Sequence, residues 1–266
     1  MIQRKETTHM AIHPTAIVDR NAVLGRNVRV GPYSIIGGSV TIGDGTQVES
    51  HVVIEGATSI GKGNRIFPFV TLGTPPQDVG YMGEDTRLII GDDNIIRECS
   101  TMHRASTKEE WETRVGSRNY FMAYSHVAHD CRVGDSVILA NSVNLAGHAK
   151  VGDFASIGGL SALHQFVRIG AYAFIGGMTA VDRDVPPFML AAGNRAKLYG
   201  PNRKGLSRQG FAVEDVDGLK AAYRIIWRES KTFEEGILRV RNELRPSKLI
   251  ELLLAFFENS KRGIIR

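Results

Sequence analysis

The sequence predicts a mainly β protein: a left-handed parallel β-helix built from hexapeptide repeats, followed by a small C-terminal α-helical domain. Two observations carry the first part. An aliphatic residue returns at every sixth position over most of the chain, and glycine is abundant (29 of 266 residues) while aromatic residues are sparse at 8%. A third, helical periodicity confined to the C-terminal part, supplies the second. A period of six fits neither a helix nor a simple strand. It is the signature of a β-helix, in which three hexads make one triangular coil of about eighteen residues.

The elements follow in order. Residues 1–10 precede the repeat and are expected to form a flexible tail. The prism is expected over 11–190, on the series Ile12, Val18, Leu24, Val30, Ile36, Ile42, Val48, Ile54, Ile60, Ile66 and Leu72, then Ile90, Ile96 and Met102, then every sixth residue from Val115 to Val181. Glycine often follows the aliphatic residue, as in Ile42-Gly43 and Val133-Gly134, which suggests that small residues turn the corners. Two breaks interrupt the series. One lies between Leu72 and Ile90, and the other, seven residues too long, between Met102 and Val115. Insertions must leave a solenoid as loops, and such loops often carry function.

The repeat stops after Pro186-Pro187, and 191–266 are expected to hold a basic connector (Arg195, Lys197, Arg203, Lys204, Arg208) and the helical domain. Helices are expected from Val213 to Arg228, from Phe233 to Leu244 behind a Thr232/Glu235 capping box, and from Leu249 to Asn259 after Pro246-Ser247.

Composition narrows the function classes. Hydrophobic residues are 42% and charged residues 23%, ordinary for a globular protein, and the formal net charge is +5. That mild excess suits an acidic partner or a phosphate-bearing substrate. No aromatic stacking platform accompanies the cations, which argues against nucleic acid. Cys99 and Cys131 form neither a disulfide framework nor a Cys-rich metal pattern, and no apolar run is long enough for a membrane span. A polar N-terminus without a signal peptide completes the expectation of a cytoplasmic protein with no integral membrane association.

Residues eighteen apart in an unbroken stretch stack on successive coils, about 4.8 Å apart. His129 then lies below Gly147, and Gly147 below Gln165; Asp130 lies below His148, and Ala146 below His164. Corrected for the seven-residue insertion, His103 falls in the column of Ala128, beside His129. His103, His129, Asp130, Gly147, His148, His164 and Gln165 therefore share one strip, joined by His126 from a neighbouring corner. One such histidine is usually a surface or corner residue; five together mark a site.

The strip offers histidine bases, a carboxylate beside one of them, and glycine amides. It has no glycine-rich phosphate loop opening a helix, and no Ser or Cys in a nucleophile motif. A histidine near neutrality can deprotonate a substrate hydroxyl, an adjacent aspartate can fix its tautomer, and a backbone N–H one coil away can stabilise an oxyanion. That combination is direct acyl transfer. The same histidines could instead bind zinc, as in β-helical carbonic anhydrases, although Asp130 and the Gly147 column fit a base and an oxyanion hole better.

Six stretches then carry a resemblance: IHPTAIVDRNAVLG (12–25), HVAHDCRVGD (126–135), LAGHAKVGDFASIGG (145–159), HQFVRIGAYAFIGG (164–177), DVPPF (184–188) and RGIIR (262–266). The chain resembles the bacterial acyl-[acyl-carrier-protein]–UDP-N-acetylglucosamine O-acyltransferases, over about 11–266. The resemblance implies a homotrimer with clefts between prisms, an acyl carrier protein donor and no metal or organic cofactor. The activity it implies is transfer of a 3-hydroxyacyl chain to the glucosamine 3-position of UDP-N-acetylglucosamine, the first step of lipid A biosynthesis.

By matched motif it makes His129 the general base, Asp130 its orienting partner and Gly147 the oxyanion amide. His103, His126, His148, His164 and Gln165 would contact the sugar nucleotide or acyl chain, and Asp78 would hold the acyl 3-hydroxyl or the glucosamine. Asn202 and Arg208 would bind near the nucleotide and carrier protein, and Gly177 would sit where side-chain size limits acyl length. Two positions depart from the family's pattern. Gly80 stands where a lysine is frequent and Lys204 where an acidic residue is, which bears on whether the acceptor is a 3-hydroxyl or a 3-amino group. A hexapeptide acyltransferase using acetyl-CoA is the alternative reading.

Overall fold

One aliphatic side chain per hexad turns inward, and burying that series is what closes the prism. In the computed structural model, which describes residues 12–266, every repeat residue from Val30 to Val181 is at most 4% exposed. Each fully buried Ile, Leu or Val contributes roughly 1.5–3 kcal/mol relative to exposure. Among the described repeat residues Ile12, in the first coil, is the most exposed, at 42%. The expected tail, 1–10, lies outside the described residues.

The strands are short and parallel and stack into three faces. Among the described residues the first face has nine strands, from Ile17–Val18 to Ala180–Val181, and the second has eight, from Val23–Leu24 to Arg168–Ile169. The third has ten, from Arg29–Val30 to Lys197–Pro201. Register is in steps of one coil: Ile35 pairs with Val53, Val127 with Leu145, Leu145 with Leu163. The architecture is the left-handed parallel β-helix expected from the hexads.

Small residues turn some of the corners, as Gly45 and Gly63 do at φ 71° and 64°, but not all of them as expected. Tyr33, His51 and Phe69 occupy left-handed backbone at φ 60°, 59° and 64° on successive coils. That conformation costs an L-residue roughly 1–2 kcal/mol. Ring packing along the column, with centroids 5.1 Å apart in both pairs, offsets part of it. The glycines after the aliphatic residues serve another purpose: a Cβ on Gly43 would stand 2.7 Å from the carbonyl carbon of Gly61 on the next coil. They permit close approach of backbones.

Both breaks in the repeat leave the same corner, between the first and second faces, on adjacent coils. Ile60 pairs with Ile90, thirty residues on where an unbroken coil needs eighteen, so the first insertion adds twelve. Ile90 pairs with Val115, twenty-five on, so the second adds seven. The insertions brace one another. Arg104 donates to the carbonyl of Gly73 (3.0 Å) and to the Tyr81 hydroxyl (3.0 Å), and Lys108 Nζ reaches Asp78 Oδ2 at 2.6 Å.

The expected connector is regular structure. Met189–Ala192 adds a parallel strand to the third face, and Lys197–Pro201 returns antiparallel beside it. Four helices follow: α1 (Arg203–Arg208), α2 (Val213–Arg224) running into a π-helical turn (Ile225–Glu229), α3 (Phe233–Glu243) and α4 (Lys248–Glu258). Thr232 caps α3 by accepting from Glu235 N (3.1 Å), but the Glu235 carboxylate reaches Lys231 N (2.9 Å) in place of the N-cap amide expected of a capping box. Leu206, Leu219, Ile226, Val240 and Leu253 join the prism's core. The last residues lie back on the prism, with Ile265 N donating to Asp184 O at 3.0 Å. No helix among the described residues is long and apolar enough to cross a membrane.

Candidate active site

Most residues of the strip come from turns between first-face and second-face strands, the corner from which both insertions leave. His103 ends the first-face strand Thr101–His103, and His126 opens the first-face strand His126–Val127 and not a neighbouring corner. The pairings Met102 with Val127 and Val127 with Leu145 put Ala128 over His103 and Gly147 over His129, as the column arithmetic required. Backbone bonds tie the turns together: His148 N donates to His129 O (3.0 Å) and Phe166 N to Gly147 O (3.1 Å). Asp130, His148 and Phe166 occupy the left-handed position of successive turns, at φ 59°, 64° and 66°. Aspartate and histidine are enriched in that region, and phenylalanine is not.

At the centre His129 Nδ1 lies 2.7 Å from Asp130 Oδ2, with Asp130 1% exposed. Burial alone would push this carboxyl up, but hydrogen bonds from His129 and Ser106 outweigh it and hold it below the usual carboxylate range. Ionised, it is an acceptor only, so neutral His129 carries its proton on Nδ1 and leaves Nε2 free to take one. That nitrogen points to the next coil: a Cβ built on Gly147 would stand 2.7 Å from Nε2 and 2.6 Å from Cε1. Among the described residues the Gly147 amide donates to no acceptor. His129 Nε2 thus lies against Gly147, whose backbone N–H is unpaired among the described residues.

Two further groups flank the pair. The rings of His103 and His126 meet edge to face, centroids 4.9 Å apart, and His126 Nδ1 shares a 2.7 Å hydrogen bond with Thr101 Oγ1. Burial, reinforced by His126 and His129, pushes His103 down to about 4, and burial also lowers His126. On the other side, buried His148 stacks on Phe166 at 4.3 Å, its Nε2 3.8 Å from Asp130 Oδ2 and its Nδ1 3.7 Å from Glu109 Oε2. Burial lowers its pKa against the pull of those two carboxylates. His103 Nδ1, His148 Nδ1 and Asp130 Oδ1 are buried without a hydrogen-bond partner. Buried polar atoms normally find a partner in protein, water or ligand.

The remaining expected residues are distributed differently. His164 and Gln165 sit on the next turn, exposed, with His164 on the wall of a 420 Å³ hollow shared with Asp182 and Arg195. Asp78 is in the first insertion, beside Lys108 of the second; the pairing holds its carboxyl below its ordinary value. Gly80 N donates to Asp78 Oδ1 (3.0 Å), and no contact links Gly80 to Lys204 in α1. Gly177 occupies a different corner, between the third and first faces, next to Gly159. Asn202 is at a third corner, capping α1 through Gly205 N (3.1 Å) and donating to Tyr172 O (3.1 Å). Arg208 closes α1 in the open, beside a 620 Å³ groove lined by Phe211 and Val216. One chain therefore does not bring Gly177, Asn202 or Arg208 to the histidines.

Ser106, Lys108 and Glu109 were missed from the sequence. They lie in the seven-residue insertion, whose path the hexad period does not describe. Ser106 donates to Asp130 Oδ2 through both its hydroxyl (2.7 Å) and its backbone N–H (3.1 Å). His129, Asp130 and His148 also offer ligand atoms within 4.8 Å of one another, the geometry a metal would need. The three donors already crowding Asp130 Oδ2 suit an orienting carboxylate better than a metal ligand.

Prism and corner site together define a hexapeptide transferase. The family model described as bacterial transferase hexapeptide (six repeats) matches 21–56, and that described as UDP N-acetylglucosamine O-acyltransferase, domain 2, matches 184–265. An acyl-[acyl-carrier-protein]–UDP-N-acetylglucosamine O-acyltransferase from Thermodesulfovibrio yellowstonii is 53% identical over 96% of this chain and 99% of its own. Another, from Syntrophobacter fumaroxidans, is 50% identical over 97% and 100%. A solved UDP-N-acetylglucosamine O-acyltransferase from Moraxella catarrhalis superposes with a TM-score of 0.93 at 42% identity, over 97% of this chain and 100% of that one. The Bacteroides fragilis enzyme gives 0.94 at 36%, over 96% and 99%. This chain belongs to the acyl-[acyl-carrier-protein]–UDP-N-acetylglucosamine O-acyltransferase family.

Proposed function

We propose that this chain transfers a 3-hydroxyacyl group from acyl carrier protein to the glucosamine 3-hydroxyl of UDP-N-acetylglucosamine, opening lipid A biosynthesis in the cytoplasm. The observation that carries the reading is His129 held at 2.7 Å by buried, ionised Asp130, with its free Nε2 against Gly147. His129 Nε2 takes the proton of the 3-hydroxyl as its oxygen attacks the acyl carbonyl. Charge develops on the carbonyl oxygen, and the Gly147 N–H donates to it. Collapse breaks the bond to the carrier's sulfur, and the imidazolium returns its proton to the leaving thiolate. Asp130 stabilises the imidazolium throughout and stays ionised.

His103, His126, His148, His164 and Gln165 are the contacts for sugar nucleotide and acyl chain, and Asp78 the acceptor for the acyl 3-hydroxyl or the glucosamine. Gly177 leaves room at the end of the acyl groove, and Asn202 and Arg208 serve the nucleotide and carrier. These sets lie on three different corners of one prism, so a site containing all of them needs neighbouring copies. A homotrimer supplies them. The exposed column Tyr124, Leu160 and Met178 along the third-to-first corner, 63%, 66% and 72% exposed, supports such a neighbour.

The test is acyl transfer by wild type from 3-hydroxyacyl carrier protein, with UDP-N-acetylglucosamine and its 3-amino analogue as separate acceptors. Faster acylation of the hydroxyl sugar is expected. Preference for the amino sugar would retain the mechanism and place selectivity near Gly80 and Lys204. Transfer from acetyl-CoA alone would replace the donor assignment, and activity abolished by a chelator would replace the base with a metal.

A further inference from the structure

His129 can act as a base only if Asp130 presents one oxygen in one place, and Asp130 is held from two directions by the second insertion. Near the start of that insertion, Ser106 donates twice to Asp130 Oδ2, through Oγ at 2.7 Å and N at 3.1 Å. At its end, Thr113 Oγ1 accepts from Asp130 N at 2.8 Å. The serine hydroxyl is itself aimed: its oxygen accepts from Lys108 N at 3.3 Å, which leaves its proton for the carboxylate. His129 Nδ1 is the third donor on Oδ2, while Oδ1 receives none. With His129 alone on it, the carboxyl could turn about its terminal torsion, where aspartate is soft, and carry the imidazole with it.

We propose that Ser106 is a positioning residue for the reaction, locking the Asp130 carboxylate so that His129 keeps its tautomer and its Nε2 stays at Gly147. The proposal rests on the base and carboxylate roles given above, and it assigns the seven-residue insertion a task in the chemistry beyond bracing the first loop.

The comparison is wild type against Ser106→Ala and Ser106→Thr, read by steady-state kinetics across pH and by thermal melting. For Ser106→Ala, kcat is expected to fall about tenfold to a hundredfold, the worth of a hydrogen bond to a charged group, with KM for the sugar nucleotide near wild type. The acidic limb of kcat/KM is expected to move to higher pH. A carboxylate with one donor fewer turns more negative charge on His129 and favours its imidazolium, which must lose its proton before it can serve as base. The other titratable or charged groups facing the pair are His148 with Glu109, His103, His126, and Asp78 with Lys108, and all are retained in both variants. Ser106→Thr restores the hydroxyl and is expected to recover kcat to within about threefold.

A Ser106→Ala protein that melts lower yet keeps wild-type kcat and an unmoved acidic limb would show a structural role only and overturn the proposal. So would a kcat loss that threonine fails to rescue. If His129→Ala itself is as fast as wild type, the underlying base assignment fails instead, and the two failures are told apart by that control.

Discussion

Two corners of the same prism bury polar side chains, and they treat them in opposite ways. Between the second and third faces, Asn64, Asn94 and Asn119 are stacked on successive coils, at most 1% exposed. Asn64 Oδ1 accepts from Asn94 N (2.9 Å) and Nδ2 (3.0 Å), and Asn94 Oδ1 from Asn119 N (2.9 Å). Asn119 Oδ1 in turn accepts from Val137 N at 2.7 Å. Only the last side-chain amide, Asn119 Nδ2, has no partner. Between the first and second faces, His103, Asp130 and His148 are also buried, at 7%, 1% and 3% exposed, but each leaves one atom unpaired. The asparagine corner pairs all but that one amide within the chain and holds coils together. The histidine corner leaves one atom unpaired on each of its three buried residues, and the proposed substrate site lies there.

Four perturbations would break or sharpen that contrast. The largest effect is expected from Asp130→Asn, which keeps the shape but removes the charge that fixes the His129 tautomer. kcat should drop by about two to four decades while the fold persists, as checked by circular dichroism. Next is Gly147→Ala. Its methyl would stand 2.6 Å from His129 Cε1, so the ring must move off the amide, and a loss of about two to three decades in kcat is expected.

The third is a pH effect on stability. Burial depresses folded His103 to about 4 from an unfolded value of 6.5, so the unfolded chain binds its proton first. Stability from this residue is intact above 6.5 and is lost as pH falls to about 4, by up to about 3 kcal/mol. His126 and His148 shift in the same direction and add to the loss. Denaturant unfolding of His103→Gln should show a shallower acid decline than wild type; parallel curves would mean that His103 is not buried neutral.

The smallest effect belongs to the other corner. Asn94→Ala orphans the amide of Asn119 and should cost about 1–3 kcal/mol of stability, leaving kcat per folded molecule unchanged. If kcat fell instead, the asparagine corner would have to be part of the working site.

The period of six made the prism legible, because any residue that missed the interior would break the burial of its whole face. It also made the Ala128–His103 and Gly147–His129 stacking legible, since register follows from counting. The first insertion was harder to size, because twelve residues are two hexads and leave the phase unchanged. Neither insertion's path could be read: loops are shaped by contacts such as Arg104 with Tyr81 and Lys108 with Asp78, and these have no period. Ser106 was invisible for that reason. Corner chemistry was legible only in part: Gly45 and Gly63 turn corners as local preference suggests, while ring packing between coils sustains Tyr33, His51 and Phe69 in the same backbone. The strand Lys197–Pro201 and the end of Met189–Ala192 fall in the expected connector because Arg195, Lys197 and Arg203 around them hide a short alternation at the end of a sheet.

The most direct test of the account is acyl transfer by wild type and His129→Ala, side by side, with a chelator present. A metal-free histidine base predicts full wild-type activity with chelator and a loss of roughly two to four decades in the variant. A variant as fast as wild type, or a wild type silenced by the chelator, would contradict it.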